Sequence, residues 1–108
     1  MKNCHSKLVR DKIPGIIQKN GDVAKTHTAD DEEYLKALFT KLVEEATELM
    51  LATDYNHQKE EFADAMEVME SIQKVLGFTD AEILSIKTKK RTQRGGFDKR
   101  IILERNTQ

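Results

Sequence analysis

The stretch Leu35-Lys36-Ala37-Leu38-Phe39-Thr40-Lys41-Leu42-Val43-Glu44-Glu45-Ala46-Thr47-Glu48-Leu49-Met50 is followed, from Glu61-Phe62-Ala63-Asp64-Ala65-Met66-Glu67-Val68-Met69, by a second run of the same kind. At about 100° of rotation per residue, Leu35, Leu38, Phe39, Leu42, Val43, Ala46, Leu49 and Met50 share an arc of about 140°. Phe62, Ala65, Met66, Val68, Met69, Ile72 and Leu76 share another. Two amphipathic helices are therefore expected, over residues 30–53 and 58–76, with Asp54-Tyr55-Asn56-His57 breaking the pattern between them. So short a link makes them antiparallel neighbours.

The carboxylates do not follow the usual division between an apolar and a solvated face. Glu45 lies only about 20° outside the first apolar arc, with Glu48 about 60° further round and Glu44 beyond it. Glu61 falls inside the second arc, between the directions of Val68 and Ile72, and Asp64 sits one step beyond its edge. Glu45 and Glu48 lie near the end of one helix, and Glu61 and Asp64 near the start of the next. In an antiparallel hairpin those ends adjoin, so the four acids converge. Converging carboxylates at a partly buried seam repel each other and require compensation. Oxygen-only ligands select a hard divalent cation, magnesium, manganese or calcium, over zinc. The competing account is a solvated acidic face, or pairing across the seam by Lys or Arg. Lys41 can reach Glu45 and Glu48, but no Lys or Arg falls inside either apolar arc.

The rest of the chain frames these two helices. Residues 1–13 read as an extended lead-in. Pro14 suits the first turn of a short helix that stops at Asn20-Gly21. Thr28 or Asp30 can cap the long helix, and Asp31, Glu32 and Glu33 favour its positive end. Gly77 stops the third helix. Thr79 and Glu82 form a capping box for a fourth, with Phe78 and Ile83 able to staple it. That helix should run to about residue 93 and end at Gly95-Gly96. The tail from Phe97 to Leu103 is open to two readings, a short strand or an arm laid on a neighbour. The fold class expected is all-α, a helical bundle completed by dimerisation with terminal arms.

At 108 residues the chain suffices for one domain. Its 34% charged residues alternate with regular apolar positions, which argues against disorder. A net charge of -1 sets up no field toward nucleic acid or membrane, so neither is an expected partner. Cys4 is the single cysteine, which points to a reducing compartment. No run is apolar and long enough to span a bilayer, and no secretory leader is legible, so the cytoplasm is the expected location. His5, His27 and His57 lack zinc-type spacing and read as surface or loop residues. Basic residues cluster near both ends.

Together, Glu44-Glu45-Ala46-Thr47-Glu48, then twelve residues, then Glu61-Phe62-Ala63-Asp64 resemble the paired acidic signature of the all-alpha nucleotide pyrophosphohydrolases. That superfamily holds MazG-like enzymes, phosphoribosyl-ATP pyrophosphohydrolases and dimeric dUTPases. The flanks Lys7-Leu8-Val9-Arg10-Asp11-Lys12-Ile13-Pro14 and Arg94-Gly95-Gly96-Phe97, followed by Lys99-Arg100-Ile101-Ile102-Leu103, resemble a compact MazG-like subgroup. The resemblance covers nearly the whole chain. It implies hydrolysis of a nucleoside triphosphate between its α- and β-phosphates, and a protomer that completes its bundle as a homodimer or dimer of dimers. It implies that Glu45, Glu48, Glu61 and Asp64 hold magnesium (manganese being an alternative), with Glu44 as an extra ligand or orienting the attacking water. Lys87, Lys90, Arg91 and Arg94, together with Arg10 and Lys12, are the candidate phosphate contacts. Cations at the end of the fourth helix are also favoured structurally, and Arg10 has a salt bridge to Asp11 or to another subunit as its structural alternative. Two rival functions stand beside this one: phosphoribosyl-ATP hydrolysis in histidine synthesis, and a non-catalytic helical interaction module.

Overall fold

A computed structural model describes residues 6–106, so the readings of Cys4 and His5 lie outside the described residues. The described residues form four helices and no strand: α1 (Ile13–Lys19), α2 (Asp31–Leu51), α3 (Tyr55–Leu76) and α4 (Asp80–Arg94). They fall into two compact units, the first ending at Leu76 and the second beginning at Gly77. No helix among them is long and apolar enough to cross a membrane.

The first unit is built on the α2–α3 hairpin. Asp30 caps α2, its carboxylate accepting from the Glu33 backbone N–H at 2.9 Å, and Asp31, Glu32 and Glu33 occupy the positive first turn. The break before α3 is shorter than the sequence suggests. Asp54 accepts from the His57 backbone N–H at 2.8 Å, an N-cap that the sequence reading missed, and the helix starts at Tyr55 rather than at Gln58. Only Ala52, Thr53 and Asp54 separate the two helices. Such a link forces an antiparallel return. Glu45 accordingly meets Glu61 and Asp64, whereas Leu38, one to two turns earlier, packs with Val68 and Ile72.

The core is narrow. Leu38, Val68 and Ile72 are its buried centre, with Leu8, Tyr34 and Leu42 packed against it. Leu8 brings the N-terminal lead-in onto the hairpin. Both apolar arcs are wider than the surface one hairpin covers: Val43 is 67% exposed, Met50 75%, Phe62 56% and Met69 53%.

In the second unit α4 begins in the expected capping box. The Glu82 backbone N–H donates to the Thr79 hydroxyl at 3.1 Å, and the Thr79 N–H donates to the Glu82 carboxylate at 2.8 Å. That backbone hydrogen bond, with the Thr79 hydroxyl adding to it, holds the Glu82 carboxyl below its ordinary value. Gly95, at φ 83°, ends the helix in a conformation that disfavours residues with a Cβ. The strand reading of the tail is not borne out. Residues 101–106 carry no regular structure, Ile101, Ile102 and Leu103 are exposed, and Arg100 turns the chain at φ 63°. β-branched residues make a strand only against a pairing partner, and none lies among the described residues.

Candidate metal centre

The hairpin places five carboxylates in two overlapping groups. Glu44, Glu45 and Glu48 present oxygens within 4.8 Å of one another, and so do Glu45, Glu61 and Asp64. Glu45 belongs to both. On α2, Glu48 lies one turn beyond the adjacent Glu44 and Glu45; Glu61 and Asp64 occupy one turn of α3. Burial follows the helical wheel. Glu45 and Glu61 are buried at 6% and 8% exposure, Glu44 and Asp64 are half-buried, and Glu48 is exposed at the rim.

Three neighbours partner these acids. Lys41 donates to Glu44 at 3.0 Å and lies 3.5 Å from Glu45. The sequence reading had it reaching Glu45 and Glu48. Glu45 is reached, Glu44 is the nearer partner, and Glu48 is not reached, because residues three and four apart share a helix face whereas Glu48 lies nearly two turns away. Burial alone would lower the Lys41 ammonium, but the hydrogen bond and charge of Glu44, joined by those of Glu45, outweigh it and hold the ammonium above its ordinary value. Arg10 reaches from the lead-in to Asp64 at 2.8 Å. Within the chain its partner is therefore not the adjacent Asp11 but a residue 54 positions away in sequence. His57 Nε2 lies 2.9 Å from Glu61 Oε2. His57 is at the surface, one of the two expected places for it, but in the first turn of α3 rather than a loop, and its i,i+4 spacing to Glu61 is the signal in the sequence.

The balance remains negative. Five carboxylates face the fixed charges of Lys41 and Arg10. The Glu61 Oε1 atom is buried and accepts no hydrogen bond. Leaving a buried acceptor unpaired costs about 1–3 kcal/mol, and more if it is charged. A buried, unpaired oxygen in an all-oxygen cluster fits a hard divalent cation of the magnesium or manganese kind.

A cleft of about 950 Å³ opens beside this cluster. Glu44, Glu45, Glu48 and Asp64 line it together with Arg10 and the apolar Leu8, Val9, Tyr34 and Val68. Lys7 and Lys74, which the sequence did not single out, also line it. Lys12 does not; it is exposed at the start of α1. Lys87, Lys90, Arg91 and Arg94 are exposed on α4 in the second unit, where their i, i+3, i+4, i+7 spacing puts them on one stripe.

Among known proteins, the chain is similar to an uncharacterized protein of Mycolicibacterium smegmatis (strain ATCC 700084 / mc(2)155), at 45% identity over 47 residues, which is 44% of this chain and 48% of that protein. The match thus spans about half the length of each. No family model matches the chain. No solved structure matches it significantly.

The Lys41 pairs predict a pH signature. Lys41→Gln should lower metal-free stability near neutral pH by up to about 1 kcal/mol, the scale of a partly exposed pair. Because the folded-state pKa is raised, the contribution is fully present below the ordinary lysine value of 10.5 and is lost as pH rises through the folded value. Urea melts across the neutral-to-alkaline range should show the wild-type advantage persisting to strongly alkaline pH. An advantage that vanishes near neutrality would assign it to another group.

Proposed function

We propose that this chain is a magnesium-dependent nucleotide pyrophosphohydrolase that converts a nucleoside triphosphate to the monophosphate and pyrophosphate, in house-cleaning of the cytoplasmic nucleotide pool. The observation that carries the reading is the buried, unpaired Glu61 Oε1 inside a five-carboxylate cluster that borders a cleft large enough for a nucleotide. The acidic signature and its flanks supply the reaction class by resemblance.

In this reading Glu45, Glu48, Glu61 and Asp64 are the ligands, with manganese able to replace magnesium. A cation held by them would supply an activated water and offset charge on the phosphates. Glu45, shared between both groups, is the ligand whose loss would disturb the whole cluster. Glu44, held by Lys41, orients the attacking water and accepts its proton. His57 holds the Glu61 carboxylate through Oε2, so Oε1 would be left available to the ion. Arg10 is the phosphate contact nearest the acids; Lys12 and the α4 stripe Lys87, Lys90, Arg91 and Arg94 are proposed as contacts on their charge alone. The chain contains no Gly-x-x-x-x-Gly-Lys-Ser/Thr loop for γ-phosphate chemistry.

We also infer a homodimer or dimer of dimers. Phe39, Val43, Phe62, Met66 and Met69 are large, apolar and exposed on the two hairpin helices, and a second copy would cover them. Light scattering at micromolar concentration should give at least twice the protomer mass; a stable monomer would refute it.

Glu61→Gln should nearly abolish turnover and weaken magnesium binding while raising metal-free stability, since a repelling buried charge is removed. A loss of metal-free stability would instead make Glu61 a structural partner of His57. The reaction itself is tested in ¹⁸O water with magnesium and nucleoside triphosphates. Attack at the α-phosphorus puts the label in the monophosphate. Label confined to pyrophosphate, or release of diphosphate and orthophosphate, would overturn the assignment.

A further inference from the structure

Arg10 occupies an unusual position for a phosphate-binding residue. It lies on the lead-in, which Leu8 anchors to the hairpin core, and its guanidinium is spent on Asp64 at 2.8 Å. Asp64 also shares with Glu45 and Glu61 a group of carboxylate oxygens within 4.8 Å of one another, and Glu61 Oε1 is buried and unpaired. The same carboxylate therefore serves a cation of the chain and belongs to a cluster fit for a cation from solution. The Arg10 and Asp64 side chains are 58% and 42% exposed, so their ion pair is hydrated and weak, worth up to about 1 kcal/mol. A divalent ion taking Asp64 brings two positive charges beside the guanidinium and drives it off the carboxylate. The guanidinium then sits in a cleft already lined by Lys7, Lys41 and Lys74, with a planar fork that matches a phosphate.

We propose that Arg10 exchanges partners: it holds Asp64 as a placeholder cation in the metal-free protein, and passes to a phosphate of the nucleotide when the divalent ion takes Asp64. This rests on the metal-dependent reading above and adds to it a coupling between the two ligands. Metal binding frees the phosphate-binding group, and a phosphate that captures Arg10 keeps it from returning to compete for Asp64. By linkage each ligand tightens the other. The lead-in thereby reports the loading of the metal centre to the nucleotide cleft, without a change in the α2–α3 hairpin.

The test uses the full chain and reads binding, not turnover. Manganese affinity is measured by titration calorimetry, without nucleotide, for wild type, Arg10→Gln and Arg10→Lys. Affinity for an α,β-methylene nucleoside triphosphate is then measured at saturating manganese. Arg10→Gln should bind manganese roughly two- to fivefold more tightly, because the placeholder is gone. It should bind the analogue at least about tenfold more weakly, the scale of a lost charged hydrogen bond. Arg10→Lys should keep wild-type manganese affinity and recover part of the analogue binding. Thermal melts matched to wild type confirm that the variants fold, as expected for a residue more than half exposed. If wild type binds manganese and Arg10→Gln binds it no better, Arg10 is not a placeholder. If the analogue binds Arg10→Gln as well as wild type, Arg10 does not pass to phosphate. Failure of wild type to take up manganese would sink the metal reading itself, independently of Arg10.

Discussion

Glu45 and Glu61 are carried on facing helices and buried in the seam where those helices meet. Burying a carboxylate costs free energy unless it is paired, and these two are paired in part: Lys41 serves Glu45, and His57 serves one oxygen of Glu61. Everything around the seam accommodates that constraint. The Lys41 ammonium is held protonated by it, Arg10 is drawn in from the lead-in by the neighbouring Asp64, and Glu61 Oε1 is left over. A hairpin built for stability alone would place leucine at these positions, as it does at Leu42 and Leu38, one and two turns before Glu45. The cation proposed for this site would offset the cost of burying these acids.

The hairpin meets this cost with a small hydrophobic core. Leu38, Val68 and Ile72 form its buried centre, while most large apolar side chains of the two arcs stay in contact with water in the protomer. A small domain buries a limited share of its surface. The same helices that present acids to one another along the seam present Phe, Met and Val outward. The proposed oligomer would raise the buried apolar area on the same two helices that carry the carboxylates.

The helices were legible where local chemistry specifies them. Asp30, the Thr79–Glu82 box, Gly77 and Gly95 act within one turn, and each falls at the helix end expected of it. The start of α3 was misplaced because Asp54 competes with a turn-like composition, and composition does not reveal which side chain accepts the backbone N–H. The tail misled in the opposite direction. Ile101 and Ile102 have strand propensity, but a strand is a pairing, and pairing is not a property of the segment alone.

The sequence by itself determined which carboxylates converge. Helical periodicity put Glu45 and Glu61 at apolar faces, and a short link between two helices leaves one arrangement, so geometry followed from spacing. The tertiary structure decided what each carboxylate touches. The choice of Glu44 as Lys41's hydrogen-bond partner, the pairing of Arg10 with Asp64 across 54 residues, and the isolation of Glu61 Oε1 depend on rotamers and on where the lead-in packs. Periodicity is a repeat along one helix and carries no information about contacts between distant segments. Those are settled only when the core draws Leu8 onto the hairpin and carries Arg10 with it.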